Sequence, residues 1–313
     1  MNNYKNIPNL DGKLAIVSGA NSGTGYGITH HLAKHNCKVI MASRTESKLQ
    51  EARKQLLGKI PNAQLEIEVV DITSLDSVRK FCNHIKNNYK KIDFLVNNAG
   101  GGNAKYIQTE DGFEQNLTVN YLGHFALTTQ ILPVLKNESR IVNFSSIGYK
   151  QFLKNKLDVD NLMCDNAEDY NQMQEYCKAK LCAILHAVKL QKEFERIGSS
   201  SMALSCHPGF ARTNLMAQPG TFSARLLSKV INGVSTVFGM SHSLYDGALP
   251  AIEALIADNA QPNMVYSPKS KRELTGAPIP IEIDRTHFED SDIDKLWDKT
   301  QELLGIKVSD YLQ

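Results

Sequence analysis

Short apolar runs recur along the chain with longer amphipathic stretches between them, and this alternation restricts the fold more than any other feature. The runs are LAIVS (14–18), KVIMA (38–42), LEIEVV (65–70), IDFLV (92–96), RIVNFS (140–145) and MALSC (202–206). The intervening segments, such as SVRKFCNHIKNNY (77–89), space their apolar residues three and four apart. Runs this short read as strands and the intervening spacing reads as helix. Strand and helix in strict alternation predict an α/β fold, a doubly wound parallel sheet with helices on both faces. The 313 residues contain no repeat, no low-complexity tract and no long Pro/Gly/Ser linker. One domain over 1–313 is therefore expected, with a cofactor half at about 10–145 and catalytic and substrate elements at about 146–313.

Two segments break the rhythm. Residues 147–174 form a long polar insertion after the fifth run. Residues 219–240 place Phe222, Leu226, Leu227, Val230, Ile231, Val234, Val237 and Phe238 at helical spacing, with Arg225 and Lys229 among them. That helix could pack on its own domain, cover an apolar substrate as a lid, or touch a membrane surface.

Composition removes several function classes. Lys+Arg number 35 against 33 Asp+Glu, a net charge of +2 without a basic cluster, so nucleic acid is not an expected partner. The six cysteines, at 37, 82, 164, 177, 182 and 206, form no C-x-x-C pair and no zinc spacing. They read as buried apolar residues in a reducing compartment, and no metal is expected. The opening MNNYKNIPNLDGK carries no apolar run, and no stretch has the length of a bilayer span. A cytoplasmic protein without a transmembrane segment is the expectation, with peripheral membrane contact left open.

Directly after the first run comes SGANSGTGYG, with glycines at 19, 23, 25 and 27, and then a helical pattern. Glycine there lets the backbone turn sharply and lets a phosphate approach the free N–H groups of a helix start. The spacing is G-x-x-x-G-x-G rather than G-x-G-x-x-G, and its placement between first strand and first helix is what gives it weight. Gly19, Asn21, Ser22, Gly23, Thr24 and Gly25 are thus candidate phosphate contacts. The second strand ends in Ser43 and Arg44, with no acid until Glu46. An acid near this point would hold a ribose 2′-hydroxyl, whereas a guanidinium suits a 2′-phosphate. NADP(H) is expected over NAD.

Within EYCKAK, Tyr176 and Lys180 stand four apart and so share one face of a helix. Such a pair is common on helix surfaces and means little alone. It occurs here with SGANSGTG, NNAG (97–100), VNYLGHF (119–125), the serine pair at 145–146 and HPGFART (207–213). Together and in this order, these motifs resemble the short-chain dehydrogenase/reductase family over roughly residues 10–260. LGHFALT, HPGFART and KLWDKTQELLG (295–305) resemble in particular its retinol dehydrogenase and WW-domain-containing oxidoreductase group.

The resemblance implies a Rossmann-like fold and assigns roles by position. Tyr176 would be the general acid/base and Lys180 its partner, also binding the nicotinamide ribose. Ser146 would be the catalytic serine, with Ser145 the alternative, and Asn120 the fourth catalytic residue, holding a water that relays protons. Asp71 and Ile72 would contact adenine. Asn97, Asn98, Ala99 and Gly100 would form the turn behind the adenosine side, and Pro208, Gly209 and Thr213 would hold the carboxamide. Chemically, a cofactor supplies hydride while the protein handles the proton. An ammonium beside a phenol favours phenolate, so Lys180 is expected to bring Tyr176 toward neutrality. A hydrogen bond from Ser146 would stabilise negative charge on the substrate oxygen. Three departures stand out: Ser18 where Thr is usual, a long gap from Ser146 to Tyr176, and no apolar N-terminal anchor.

The expected activity is NADP(H)-dependent interconversion of a ketone or aldehyde with its alcohol on an apolar small molecule, such as a retinoid, steroid, lipid aldehyde or xenobiotic carbonyl. The competing readings are an NAD-dependent alcohol dehydrogenase, and a nucleotide-binding scaffold or redox sensor with little turnover. A homo-oligomer is compatible with the pattern.

Overall fold

A computed structural model describes residues 7–135, 137–209 and 243–312. Thr213 and the apolar segment 219–240 lie outside the described residues. Among the described residues eight strands form one sheet in the order β3-β2-β1-β4-β5-β6-β7-β8. They are β1 Leu14–Ser18, β2 Lys38–Ser43, β3 Leu65–Val69, β4 Phe94–Asn97, β5 Arg140–Phe144, β6 Met202–Cys206, β7 Met264–Pro268 and β8 Pro278–Glu282. Every neighbouring pair is parallel except β7 with β8. The six expected runs become β1 to β6, each ending within two residues of its predicted bounds.

The two added strands have a physical reason for escaping notice. β8 reads PIPIE, and prolines at 278 and 280 remove ladder donors, which restricts such a run to a sheet edge. It pairs only with β7 and closes that edge.

Helices cover both faces. One face carries α1 Gly23–Lys34, α2 Glu46–Lys59 and a helix over Leu249–Ile256, here α8. The other carries α3 Leu75–Asn88, α5 Gly123–Ile131, α7 Gln172–Arg196 and a helix over Asp290–Leu304, here α9. The short helix α4, Gln115–Leu117, leads into α5 through a π turn over Thr118–Leu122. The central strands are apolar on both sides because each face is roofed by helices: Ala15, Ile16 and Val17 of β1 are fully buried.

The insertion at 147–174 holds one short helix, α6 Gly148–Gln151. It is less polar in effect than its composition suggests, since Leu157, Val159 and Leu162 are buried in the core. It ends at Asn171, whose side chain accepts the N–H groups of Met173 and Gln174 and so caps α7. β1 lies between β2 and β4, so the chain's winding reverses there, and the carboxyl ends of β1 and β4 border the crevice where ligands bind in such sheets.

Candidate active site

The turn between β1 and α1 is shaped by glycines. Gly19 has φ +68° and Gly23 φ +56°, left-handed conformations that cost glycine little. A Cβ at Gly25 would collide with the carbonyl of Gly19 and lie 2.5 Å from Asn98 Nδ2. Ser22 occupies the cap position of α1 without capping it by its side chain, and no acid sits in the first turn. The helix therefore presents uncompensated N–H groups beside a cradle that side chains cannot fill, with Asn21 and the buried Thr24 flanking it.

The floor of this turn hangs on Ser18. Its hydroxyl accepts the N–H groups of Asn98 and Ala99, both at 2.9 Å, and lies 3.0 Å from His124 Nε2. Asn98 donates from Nδ2 to the Ser18 carbonyl at 2.7 Å. All of this needs one hydroxyl oxygen, which accounts for the tolerance of Ser in place of Thr. Asn97 stands behind this turn as the last residue of β4. Its side chain turns into the core, donating to Thr128 at 2.7 Å and Asn143 at 2.8 Å, so it supports the sheet rather than facing the crevice.

At the end of β2, Ser43 Oγ is buried with no hydrogen-bond partner among the described residues. Arg44 beside it is 67% exposed along its side chain and reaches only Asp71 Oδ2, at 3.9 Å. Asp71 turns its other oxygen to Thr73, and Ile72 is buried against the close approach of Gly123. An orphan hydroxyl, a lightly held guanidinium and the glycine cradle follow the carboxyl ends of β1 and β2. These residues fit a dinucleotide whose phosphates would lie on Gly19–Gly25 and whose adenosine end would reach Ser43 and Arg44.

The four expected catalytic residues converge further along the same crevice. Asn120 lies in the π turn and is buried. Its Nδ2 donates to the carbonyls of Asn116 and Gly101, both at 2.8 Å, and its Oδ1 accepts the Gly101 N–H at 3.3 Å. A Cβ on Gly100 would lie 2.6 Å from Asn120 Oδ1 and 3.2 Å from Lys180 Nζ, so the glycine covers both groups closely. Lys180 is 4% exposed and donates to the Phe144 carbonyl at 3.0 Å. Its ammonium stands 5.7 Å from the centre of the Tyr176 ring, the distance that one helical turn sets.

The serine pair divides its work. Ser145 is buried and donates to the Lys180 carbonyl at 2.8 Å, which locks α7 onto β5. Ser146 is half-buried, accepts the Gly148 N–H at 3.1 Å and makes the polar contact with the Tyr176 phenol.

Electrostatics depart from the expectation for Tyr176. Burial pushes its phenol up to about 12, opposed only by the contact from Ser146. Burial likewise brings Lys180 down to about 8. In the free protein the phenol therefore stays neutral while Lys180 still carries its charge below about pH 8, and that ammonium does not offset the phenol's loss of water.

On the other side of the crevice, Pro208 and Gly209 follow β6 and are half-buried. One arrangement there has no counterpart in the expectations. His207, fully buried, binds Glu273 of the β7–β8 loop at 3.0 Å, and Glu273 also takes Lys150 of α6. No local pattern marks this arrangement, since Lys150, His207 and Glu273 lie far apart along the chain.

Comparison with known proteins agrees with this geometry. The short chain dehydrogenase family model matches residues 13–155. Human "Retinol dehydrogenase 13" is 36% identical over 227 residues, 71% of this chain and 67% of that protein. Mouse "Retinol dehydrogenase 14" is 32% identical over 316 aligned positions, 95% of this chain and 87% of its own length. The crystal structure of an uncharacterized protein from Mycobacterium paratuberculosis superposes with a TM-score of 0.76 at 26% identity, covering 97% of both chains. The chain belongs to the short-chain dehydrogenase family and resembles its retinol dehydrogenase group.

Proposed function

We propose that this oxidoreductase uses NADP(H) to interconvert a ketone or aldehyde with its alcohol on an apolar small molecule, within one domain whose first 145 residues or so hold the cofactor. The observation that carries the reading is the convergence of Asn120, Ser146, Tyr176 and Lys180 at one end of a crevice whose other end holds the glycine cradle and Arg44. A nicotinamide cofactor bound there would supply or accept the hydride. Tyr176 gives its proton to the substrate oxygen in reduction and takes it back in oxidation. Ser146 donates to that oxygen and orients it, with its backbone partner at Gly148 fixing the hydroxyl. Lys180 would hold the cofactor's ribose and exchange protons with Tyr176, and Asn120, fixed by three hydrogen bonds, would lead that proton path toward solvent.

Support for an apolar substrate comes from the rim. Phe152 is 50% exposed and borders Gly148, which itself borders Ser146. An apolar side chain left in water beside a polar catalytic group favours a substrate that covers it. The names of the retinol dehydrogenase relatives point the same way. A panel of apolar carbonyls and small polar ketones decides it, and turnover of the polar ones alone would sink the substrate class.

Support for NADP(H) comes from Arg44 and the orphan Ser43 hydroxyl. Titration of NADPH and NADH on wild type and Arg44→Ala is the test. Losing the guanidinium should weaken NADPH by about 1.5–3 kcal/mol, roughly ten- to a hundredfold, and leave NADH nearly unchanged. Equal binding of both cofactors, unmoved by the substitution, would redirect the assay to alcohol oxidation with NAD.

A further inference from the structure

Behind the reacting groups, one carboxylate joins two segments that the chemistry needs in register. Glu273 Oε2 accepts Nε2–H of His207 at 3.0 Å, and both its oxygens accept the ammonium of Lys150, at 2.9 and 3.0 Å. Ser267 Oγ adds a longer contact at 3.5 Å. His207 Nδ1 accepts the Gly209 N–H at 3.2 Å, so the ring's single proton sits on Nε2, the tautomer that donates to Glu273. Lys150 belongs to α6, which begins two residues after Ser146 with the N–H of Gly148 on the Ser146 hydroxyl.

The backbone reinforces the side chains. Gly209 has φ +66°, and a Cβ there would lie 2.9 Å from the Glu273 carbonyl oxygen and 2.8 Å from the Leu274 carbonyl carbon, so the loop lies directly on the glycine. Glu273 itself has φ +54°, a left-handed conformation that a non-glycine residue adopts only when its surroundings hold it. The bonds from His207 and Lys150 bring the Glu273 carboxyl down to about 2, while burial keeps His207 low and neutral. The carboxylate stays charged through the neutral range, which makes the arrangement a fixed link and not a pH switch.

We propose that Glu273 is a positioning residue: through His207 it holds Pro208–Gly209, through Lys150 it holds Gly148–Gln151 behind Ser146, and it thereby sets the alignment of hydride and proton transfer. The inference rests on the dehydrogenase reading above. A link at this place acts on the rate rather than on cofactor affinity, because the phosphate cradle and Arg44 lie at the far end of the crevice. A misplacement of about 1 Å costs on the order of a hundredfold in rate.

The experiment compares wild type, Glu273→Gln, Lys150→Gln and Lys150→Arg. It measures NADPH affinity, kcat and KM on the best carbonyl of the panel, the primary isotope effect with NADPH deuterated at the transferred position, and amide hydrogen exchange in the cofactor-free protein. For Glu273→Gln the expected result is a kcat lower by roughly ten- to a hundredfold. NADPH affinity and KM should stay within about threefold, and the isotope effect should rise as hydride transfer becomes limiting. Exchange should quicken in 146–151 and 207–209, and Lys150→Arg, which keeps the charge, should recover most of the rate lost in Lys150→Gln. A Glu273→Gln enzyme with wild-type kcat and isotope effect, even if less stable, overturns the inference and leaves the dehydrogenase reading intact. Should Glu273→Gln fail to fold, the lysine pair decides: equal kcat in Lys150→Gln and wild type overturns the inference. A wild type that binds NADPH yet oxidises none of it across the panel overturns both, and is recognised because the unmodified protein is the one that fails.

Discussion

Lys180 shows most sharply how function and stability oppose each other at one side chain. Its ammonium is almost wholly buried, with one carbonyl acceptor, and burial brings its pKa down to about 8 from 10.5. Below pH 8 the folded protein must hold a charge that the unfolded chain holds without penalty. The penalty disappears as the pH rises from 8 to 10.5, where the folded state has released the proton and the unfolded state has not, so stability from this group rises with pH across that window. Lys180→Met is therefore expected to stabilise the free protein at pH 7 by about 1–2 kcal/mol, the relieved burial of charge exceeding the lost hydrogen bond, while abolishing turnover. Denaturant melts at several pH values check it: the advantage of the methionine should shrink toward pH 10.5, and a flat difference would refute the cause given. Ser145 and Ser146 make the complementary point. The two hydroxyls are adjacent in sequence, yet one is consumed by the Lys180 carbonyl and the other is left to the crevice.

The run from Gln115 to Ile131 is one helical course interrupted where it matters. Its π turn leaves Asn120 able to place its amide on the Asn116 carbonyl inside its own helix and on Gly101 outside it. A side chain inserted into the helical ladder is a recognised cause of such a distortion. Removing it in Asn120→Ala leaves the buried Asn116 carbonyl and the half-buried Gly101 carbonyl short of a donor and should cost about 1–3 kcal/mol of stability. Differential scanning fluorimetry and urea melts read this directly, and an unchanged stability would show that the π turn is set by the packing of Gly123 on Ile72 instead. α7 works differently: capped by Asn171 and locked by Ser145, it carries Tyr176 and Lys180 on a rigid face, so their spacing follows from helix geometry alone.

Across the domain, the sheet order places β1 beside β4 and so brings Gly19, Asn98, Asn120 and Lys180 to one crevice from four separate stretches of chain. α9 lies on the opposite side of that layer. Trp297 packs its ring edge-on 5.1 Å from Phe125 and tilted 6.0 Å from His186, which joins the C-terminal helix to α5 and α7. Trp297→Ala should destabilise the whole domain by about 3–5 kcal/mol in a single cooperative transition. NADPH affinity of the folded fraction should not change, because the tryptophan touches no part of the crevice. A loss below about 1 kcal/mol in chemical denaturation would mean that α9 is an appendage rather than part of the core. No helix among the described residues is long and apolar enough to cross a membrane.

Local pattern was enough for the features that depend on local geometry. The apolar runs determined six strands, the glycine spacing determined the phosphate turn, and the four-residue interval determined that Tyr176 and Lys180 share a face, since period and backbone freedom are properties of neighbouring residues. Long-range contacts decided the rest. Whether Asn97 faces the crevice or the core, and which serine is left free, depends on how β4 and β5 meet the helices above them. The phenol's rise to about 12 comes from the water that surrounding elements exclude, which an i, i+4 interval cannot express. The proline-bearing β8 becomes a strand only because β7 offers it an edge. Glu273, His207 and Lys150 lie far apart along the chain and form no motif, and the packing of the β7–β8 loop on Gly209 is what joins them.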